Sequence, residues 1–453
     1  MYEIGDSMGR GKEMRRFAWT TLPAVVLLIA TACSNNGGGG GASPGGGGAN
    51  TGSVTVLNAM EPQEAQALQG VIDDLINSQA DYKAELEANA DFETQIKIRI
   101  EGGNPPDIAM YPQPGSVIEQ AKAGNLISLE DLGLDVAQME EDFGSYFMSL
   151  GEYNGKHYGI PTNINLKSMI WYPKDDFDKA GYQVPETWDD LIALSNQIKA
   201  DGGTPWCVGL ESGGATGWTG TDWIEDIMLR TAGPDVYDQW VNHDIPFTDP
   251  AVANAFKLFG DVLFTPGYVL GGADKTASIN FGDAPGPMFK EPPGCWFNRQ
   301  ANFINAFFPD DAQAGVDYDW FPFPTIDDPS QQAALFGGEL SVVFRDAPEV
   351  KDFVERFSGT ELQCAQGGLA TTSRISPNVN VGADCYANSV LGGASEVLTA
   401  ALKSGNARFD ASDMMPSAVG SGSFWTGMVK YVQGGAGSVD AVLGDIEKSW
   451  PTS

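Results

Sequence analysis

The hydrophobic pattern of the chain begins at residues 53–57, where Ser-Val-Thr-Val-Leu predicts a short buried strand. Leu68, Val71, Ile72, Leu75 and Ile76 then recur at i, i+3, i+4, i+7 and i+8, which predicts a helix. Over residues 95–100, Ile96, Ile98 and Ile100 alternate with polar residues and predict a strand. After the turn Gly103-Asn104-Pro105-Pro106, residues 107–111 predict another. Strand, helix and strand without a tight hairpin imply a right-handed βαβ crossover and a parallel sheet. Ligands of such sheets sit at the carboxyl ends of strands, which puts Met60, Glu61 and Tyr111 on a binding edge. A second organised region starts near Gly159. It has a strand over 168–173 and a helix opened by Thr187, with Asp190 three residues on as its capping partner.

The first fifty residues have a different texture. Arg10, Lys12, Arg15 and Arg16 precede an apolar run over 22–32 that ends in Ala30-Thr31-Ala32-Cys33. A basic segment, a short apolar segment and a small-residue exit read as a secretory signal over residues 1–32. The run is shorter than the ~20 residues of a membrane span. Cys33 directly after it resembles the bacterial lipobox, which implies that Cys33 becomes the lipid-modified first residue; an ordinary signal peptide is the alternative. Residues 33–52 are glycine-rich, the composition of a flexible linker between anchor and body.

Composition narrows the function. Sixty acids against 26 bases give a net charge of −34. That argues against nucleic-acid binding, which needs cations to displace phosphate counterions. His157 and His243 are the two histidines, far apart in sequence, so a histidine metal cluster is excluded. No cofactor or metal is implied. Beyond Cys33, four cysteines remain in an exported chain and allow three pairings. Cys207–Cys295 with Cys364–Cys385 is the favoured set, and four buried thiols are the alternative.

Four motifs then occur in order: Asn104-Pro105-Pro106-Asp107-Ile108, Ala123-Gly124-Asn125-Leu126-Ile127, residues 154–161 with His157-Tyr158-Gly159-Ile160-Pro161, and Pro185-Glu186-Thr187-Trp188-Asp189-Asp190-Leu191. They resemble the signatures of family 1 extracellular solute-binding proteins of ABC sugar importers, in the α-glucoside/maltose-binding branch. The resemblance covers nearly all of residues 51–450. It implies an α/β, two-lobed clamshell like the periplasmic binding proteins, with three interlobe crossings, closing over its ligand by hinge motion. The crossings are placed near 163–167, near 316–323 and within 369–383. The N-terminal lobe is then residues 53–164 and 318–370, and the C-terminal lobe 165–317 and 371–453. The implied partners are a mono- or oligosaccharide, the ABC permease subunits and, through the lipid alone, the membrane; a monomer is expected.

A sugar offers apolar C–H faces and a rim of hydroxyls, so its site needs flat aromatic surfaces and planar polar groups. Trp218, Trp296 and Trp425 match aromatic platforms in the similar maltose-binding proteins. Trp171 and Trp188 are assigned to packing. Glu61, Asp222, Arg299 and Glu339 are the polar candidates. Asp222 and Arg299 flank the tryptophan loops, and Glu339 follows Gly337-Gly338, a pair that would let backbone approach a ligand. Asp107 and Asn163 sit at family motifs and could serve only to fix the backbone. The rival reading is a secreted glycoside hydrolase with two carboxylates about 5–10 Å apart. With so many acids that signal has almost no specificity, and the G-x-S-x-G match, at residues 5–9, falls in the leader.

Overall fold

The computed structural model describes residues 52–326, 333–370 and 372–451. The proposed signal, Cys33 and the linker as far as residue 51 lie outside them. Among the described residues, eleven strands form three sheets: β1 (Gly52–Asn58), β2 (Tyr82–Ala88), β3 (Ile108–Tyr111), β4 (Glu152–Tyr153), β5 (Lys156–His157), β6 (Ile160–Leu166), β7 (Met169–Tyr172), β8 (Asn298–Arg299), β9 (Asp319–Pro322), β10 (Ala334–Val343) and β11 (Ala407–Phe409).

The main sheet runs β11-β10-β3-β1-β2, with β6 also on β10. β1 pairs in parallel with both β2 and β3, whereas β10 runs antiparallel to β3 and β6. β1 is buried on both faces: Val54 and Val56 join one hydrophobic cluster and Leu57 another. Apolar residues serving both faces of a strand are what a covered parallel sheet requires. The helices Pro62–Ile72 and Pro348–Ser358 cover the first face.

The smaller sheet, β8-β7-β9, belongs to a second body of helices: Trp188–Ala200, Trp218–Thr231, Pro250–Leu263, Trp425–Gly434 and Val439–Glu447. Thr187 and Asp190 form the expected capping box. The chain passes from the main sheet to the smaller one at Lys167-Ser168, between β6 and β7, and enters the second body again at Asp410, directly after β11. Trp171 is fully buried and Trp188 nearly so, both in packing positions.

Several expectations change. Residues 95–100 are not a strand but part of the helix Phe92–Glu101. Phe92 and Ile96, four apart, point into the core, while Ile98 is 56% exposed. The neighbouring strand is β2, whose Tyr82, Ala84 and Leu86 alternate with Lys83, Glu85 and Glu87 at the sheet edge. Tyr111 is buried edge-on against Phe92, with ring centroids 5.2 Å apart, and lies behind the binding edge. β9, assigned from sequence to the first lobe, pairs with β7 in the second body, because its antiparallel register with Met169–Tyr172 completes the small sheet. Residues 372–376 stay against the main sheet, where Ile375 bridges Ile164. Both disulfides form as favoured, Cys207–Cys295 and Cys364–Cys385, with Cα atoms 5.6 and 5.0 Å apart. Among the described residues, no helix is long and apolar enough to cross a membrane.

Candidate ligand cleft

A cleft of about 650 Å³ lies at the carboxyl ends of β1, β2 and β3. Parallel neighbours deliver their following loops to the same edge, so residues distant in sequence meet there. Met60 and Glu61 come just after β1, Asp91 and Glu93 after β2, and Gln113 after β3. Gln113 Nε2 donates to Glu93 Oε1 at 3.3 Å. Asn163 and Glu339 face each other across β6 and β10, at a break in the register between Glu339 and Leu340. Such irregularities turn side chains out of the regular ladder.

The segment after Thr371 supplies the rest of this wall. Ser373 Oγ donates to Glu64 Oε1 at 2.8 Å, and Arg374 Nη2 donates to Glu339 Oε2 at 2.5 Å. Burial pushes the Glu64 carboxyl up, against the pull of Arg374 and the bonds from Ser373. Burial likewise raises Glu93, and the bond from Gln113 only partly offsets it.

The opposite wall is aromatic. Trp218 opens the helix Trp218–Thr231, with its ring centroid 5.2 Å from that of Phe281 and 5.9 Å from that of Phe303. Trp425 opens the helix Trp425–Gly434, and its indole N–H donates to Ser412 Oγ at 3.3 Å. Phe281, Phe303 and Phe307 extend the same surface.

A chain of buried charges forms the floor of the cleft, lined by Lys167, Asp410 and Asp413, and continues beneath it. Lys167, between the two sheets, donates to Asp222 Oδ1 at 3.0 Å and to Asp410, and stands 3.8 Å from Asp413 Oδ2. Asp222 Oδ2 accepts from Arg299 Nη1 at 2.9 Å; Arg299 also binds Asp226, which accepts from Arg230 Nη1 at 2.7 Å. Burial opposes the Lys167 charge, but Asp222, Asp410 and Asp413 outweigh it and hold the ammonium well above its ordinary value. Burial would raise Asp410 too, yet the contact with Lys167 keeps it below the usual range.

The remaining acids go the other way. Burial, then Asp410 and Asp222, push Glu225 up; burial and Asp410 push Asp413 up. Burial carries Asp222 to about 7 despite Lys167 and Arg299. Five carboxyls face three cations here, and unpaired buried charge is costly, which is why burial favours the neutral forms of Glu225 and Asp413. Glu225 Oε1 accepts from the Ser412 N–H at 3.1 Å, whereas Oε2 is buried without a hydrogen-bond partner. Asp222, Glu225 and Asp410 bring their oxygens within 4.8 Å of one another, a grouping that could hold a metal ion. Lys167 already supplies the cation there, through its bonds to Asp222 and Asp410.

Of the residues singled out from sequence, Glu61, Trp218, Glu339 and Trp425 line the cleft, and Asn163 lines it as well. Asp222 and Arg299 do not: both are buried below the floor, where each satisfies the other's charge. Trp296 is also away from the cleft, packed against Tyr182 with centroids 5.0 Å apart. Gly294, two residues before it, packs against Pro287 beside the Cys207–Cys295 bridge and marks a tight path, not an open ring. Gly337-Gly338 does admit a close approach, but of protein. A Cβ at Gly337 would stand 2.5 Å from Lys167 Cε, and one at Gly338 2.2 Å from the Asn163 carbonyl. Asp107 fixes backbone, accepting from the Thr55 N–H at 2.8 Å.

Sequence reasoning missed Lys167, Arg374, Asp410 and Asp413. Lys167 was at hand, since it ends the segment 163–167 expected to cross between lobes. The other three carry no local signal.

The fold, two bodies with a cleft between them, is that of a ligand-binding clamshell. The model of the bacterial extracellular solute-binding protein family matches residues 61–361, and the chain belongs to that family. It is 40% identical over 363 residues to the osmoprotective compounds-binding protein GgtB of Synechocystis sp., covering 80% of this chain and 83% of that protein. It is also 40% identical over 370 residues to the alpha-glucosides-binding periplasmic protein AglE of Rhizobium meliloti, covering 80% and 79%. Among solved structures, the bacterial solute receptor AcbH superposes with a TM-score of 0.74 at 18% identity, over 88% of this chain and 98% of that one. The architecture is the two-lobed α/β clamshell of these proteins.

Proposed function

We propose that the protein captures a sugar, an α-glucoside or small oligosaccharide, by closing its lobes, and delivers it to an ABC permease while tethered to the membrane by lipid at Cys33. The observation that carries this is the pairing of walls in the cleft. Trp218, Trp425 and the phenylalanines offer flat apolar faces, and the opposite wall offers carboxyl, amide and guanidinium groups. A pyranose has the same division between its C–H faces and its hydroxyl rim. The similarity to AglE, named for α-glucosides, supports that choice of sugar.

The hinge is proposed at the crossing that carries Lys167 and at the one that carries Asp410. Their ion pair ties the two connections together below the ligand, so the lobes can rock while the base of the cleft holds. The protein acts as a monomeric receptor and not as a hydrolase.

Isothermal titration calorimetry with a panel of α-linked glucosides, followed by chromatography of the recovered sugar, tests the reading. Saturable stoichiometric binding with intact sugar is expected. Absence of binding across the panel, or steady release of cleaved product, refutes it. Small-angle scattering with a bound sugar should show a smaller radius of gyration, and an identical profile at saturation would remove lobe closure.

A further inference from the structure

We infer that the cleft selects its ligand by charge: it takes neutral and amine-bearing glycosides and refuses those carrying a carboxylate or phosphate. This rests on the reading of the cleft as a sugar site.

Seven carboxyl groups and two basic side chains line the cleft. Both cations are already committed. Lys167 is held by Asp222 and Asp410, and Arg374 by Glu339. Among the described residues, none of Glu61, Asp91 and Glu93 forms an ion pair with a basic side chain. Asp91 accepts from Thr94 Oγ1 at 2.8 Å, and Glu93 from the neutral Gln113.

The helix starts on this wall would otherwise attract anions, because their free N–H groups point outward. At two of the three, the helices after β1 and β2, acids occupy the start and oppose an anion by charge, although neither cap side chain bonds a helix N–H; the third, Pro114–Lys122, has no acid in its first turn. Glu61 caps the helix Pro62–Ile72 and Glu64 lies in its first turn; Asp91 caps the helix Phe92–Glu101 and Glu93 lies in its first turn. An arriving carboxylate or phosphate would meet these acids with no uncommitted cation to receive it.

The opposite wall has the same preference. The faces of Trp218 and Phe281 carry negative quadrupole potential, which favours cations over anions. Lys167 Nζ already stands 5.3 Å from the centre of the Trp218 ring, so that face accepts an ammonium in this protein. A ligand amine on the first wall would pair with Glu61 or Asp91 and lessen the repulsion between them.

The experiment is calorimetry at low salt and neutral pH with a matched set: an α-linked diglucoside, its amino-substituted forms and its carboxylate-substituted forms, each varied over successive ring positions. The best amino form should bind at least as tightly as the neutral sugar. Every carboxylate form should bind roughly tenfold or more weakly. Glu61→Gln combined with Asp91→Asn, both at the rim and outside the core, should narrow that gap. A carboxylate form binding as tightly as the neutral sugar overturns the inference. So does an amino series uniformly weaker than the neutral sugar, or a gap that the double variant leaves unchanged. If no member of the set binds, the sugar reading fails and takes the charge inference with it.

Discussion

Gly217 and Trp425 touch so closely that no side chain fits between them: a Cβ at Gly217 would stand 2.1 Å from the Trp425 carbonyl oxygen. Gly217 also has φ of 116°, a conformation that other residues adopt only with strain. It caps the helix that Trp218 opens, so this contact sets the two cleft tryptophans side by side. Gly217→Ala should therefore cost about 1–3 kcal/mol of stability and weaken sugar binding in the folded fraction. Thermal unfolding and calorimetry on the same sample check both effects.

Trp218→Ala should raise the sugar Kd about five- to 150-fold, the equivalent of losing ~1–3 kcal/mol of stacking and burial. Trp296→Ala should lower Tm and leave Kd alone, because its ring packs on Tyr182 and not on the ligand. Calorimetry and differential scanning fluorimetry on both variants separate the roles. Equal Kd effects would put Trp296 back in the site.

Glu225 should make the protein less stable as pH rises. Its carboxyl is held well above the ordinary range by burial and by Asp410 and Asp222, so the folded state keeps a proton that the unfolded chain releases above about pH 4.3. The contribution is complete below that pH and is lost by about 1.4 kcal/mol per pH unit until the folded pKa is passed. Glu225→Gln mimics the protonated acid. The variant should match the parent near pH 5, exceed it at pH 8 and show a shallower fall of Tm between them. Asp413 and Asp222, raised for the same reason, should leave a residual slope.

Cys364–Cys385 encloses the segment that carries Ser373 and Arg374 to the cleft. Closing a loop of that size contributes about 3 kcal/mol. Cys385→Ser should lower Tm accordingly and weaken sugar binding, because Ser373 and Arg374 hold Glu64 and Glu339. Calorimetry with Cys295→Ser as comparison checks it, since that bridge lies beside Trp296, away from the cleft.

Cys33→Ala should release the protein from the membrane fraction into the medium or periplasm. Fractionation followed by immunoblotting reads the result, and unchanged retention counts against the lipid anchor.

The parts of the fold that were legible in the sequence were those with local causes. Buried β1, the capped helix at Thr187 and the buried Trp171 and Trp188 follow from patterns a few residues long, because strand alternation and helix capping are short-range physics. Glu61 was found because the carboxyl end of a parallel strand is a topological consequence of the βαβ unit. Three isoleucines at alternate positions misled, since Phe92, Ile96 and Ile100 satisfy the helical period equally well and only burial against Tyr111 selects it. The charges under the cleft could not be read at all. Lys167, Asp222, Arg299 and Asp410 are spread over more than half the chain, and nothing near any of them says which acid meets which base. Packing brought them together and removed water, and that desolvation decides which carboxyls ionise. For the same reason composition could supply tryptophans of the right kind for a sugar, while only the path of the backbone turned Trp218 and Trp425 to the cleft and Trp296 to the core.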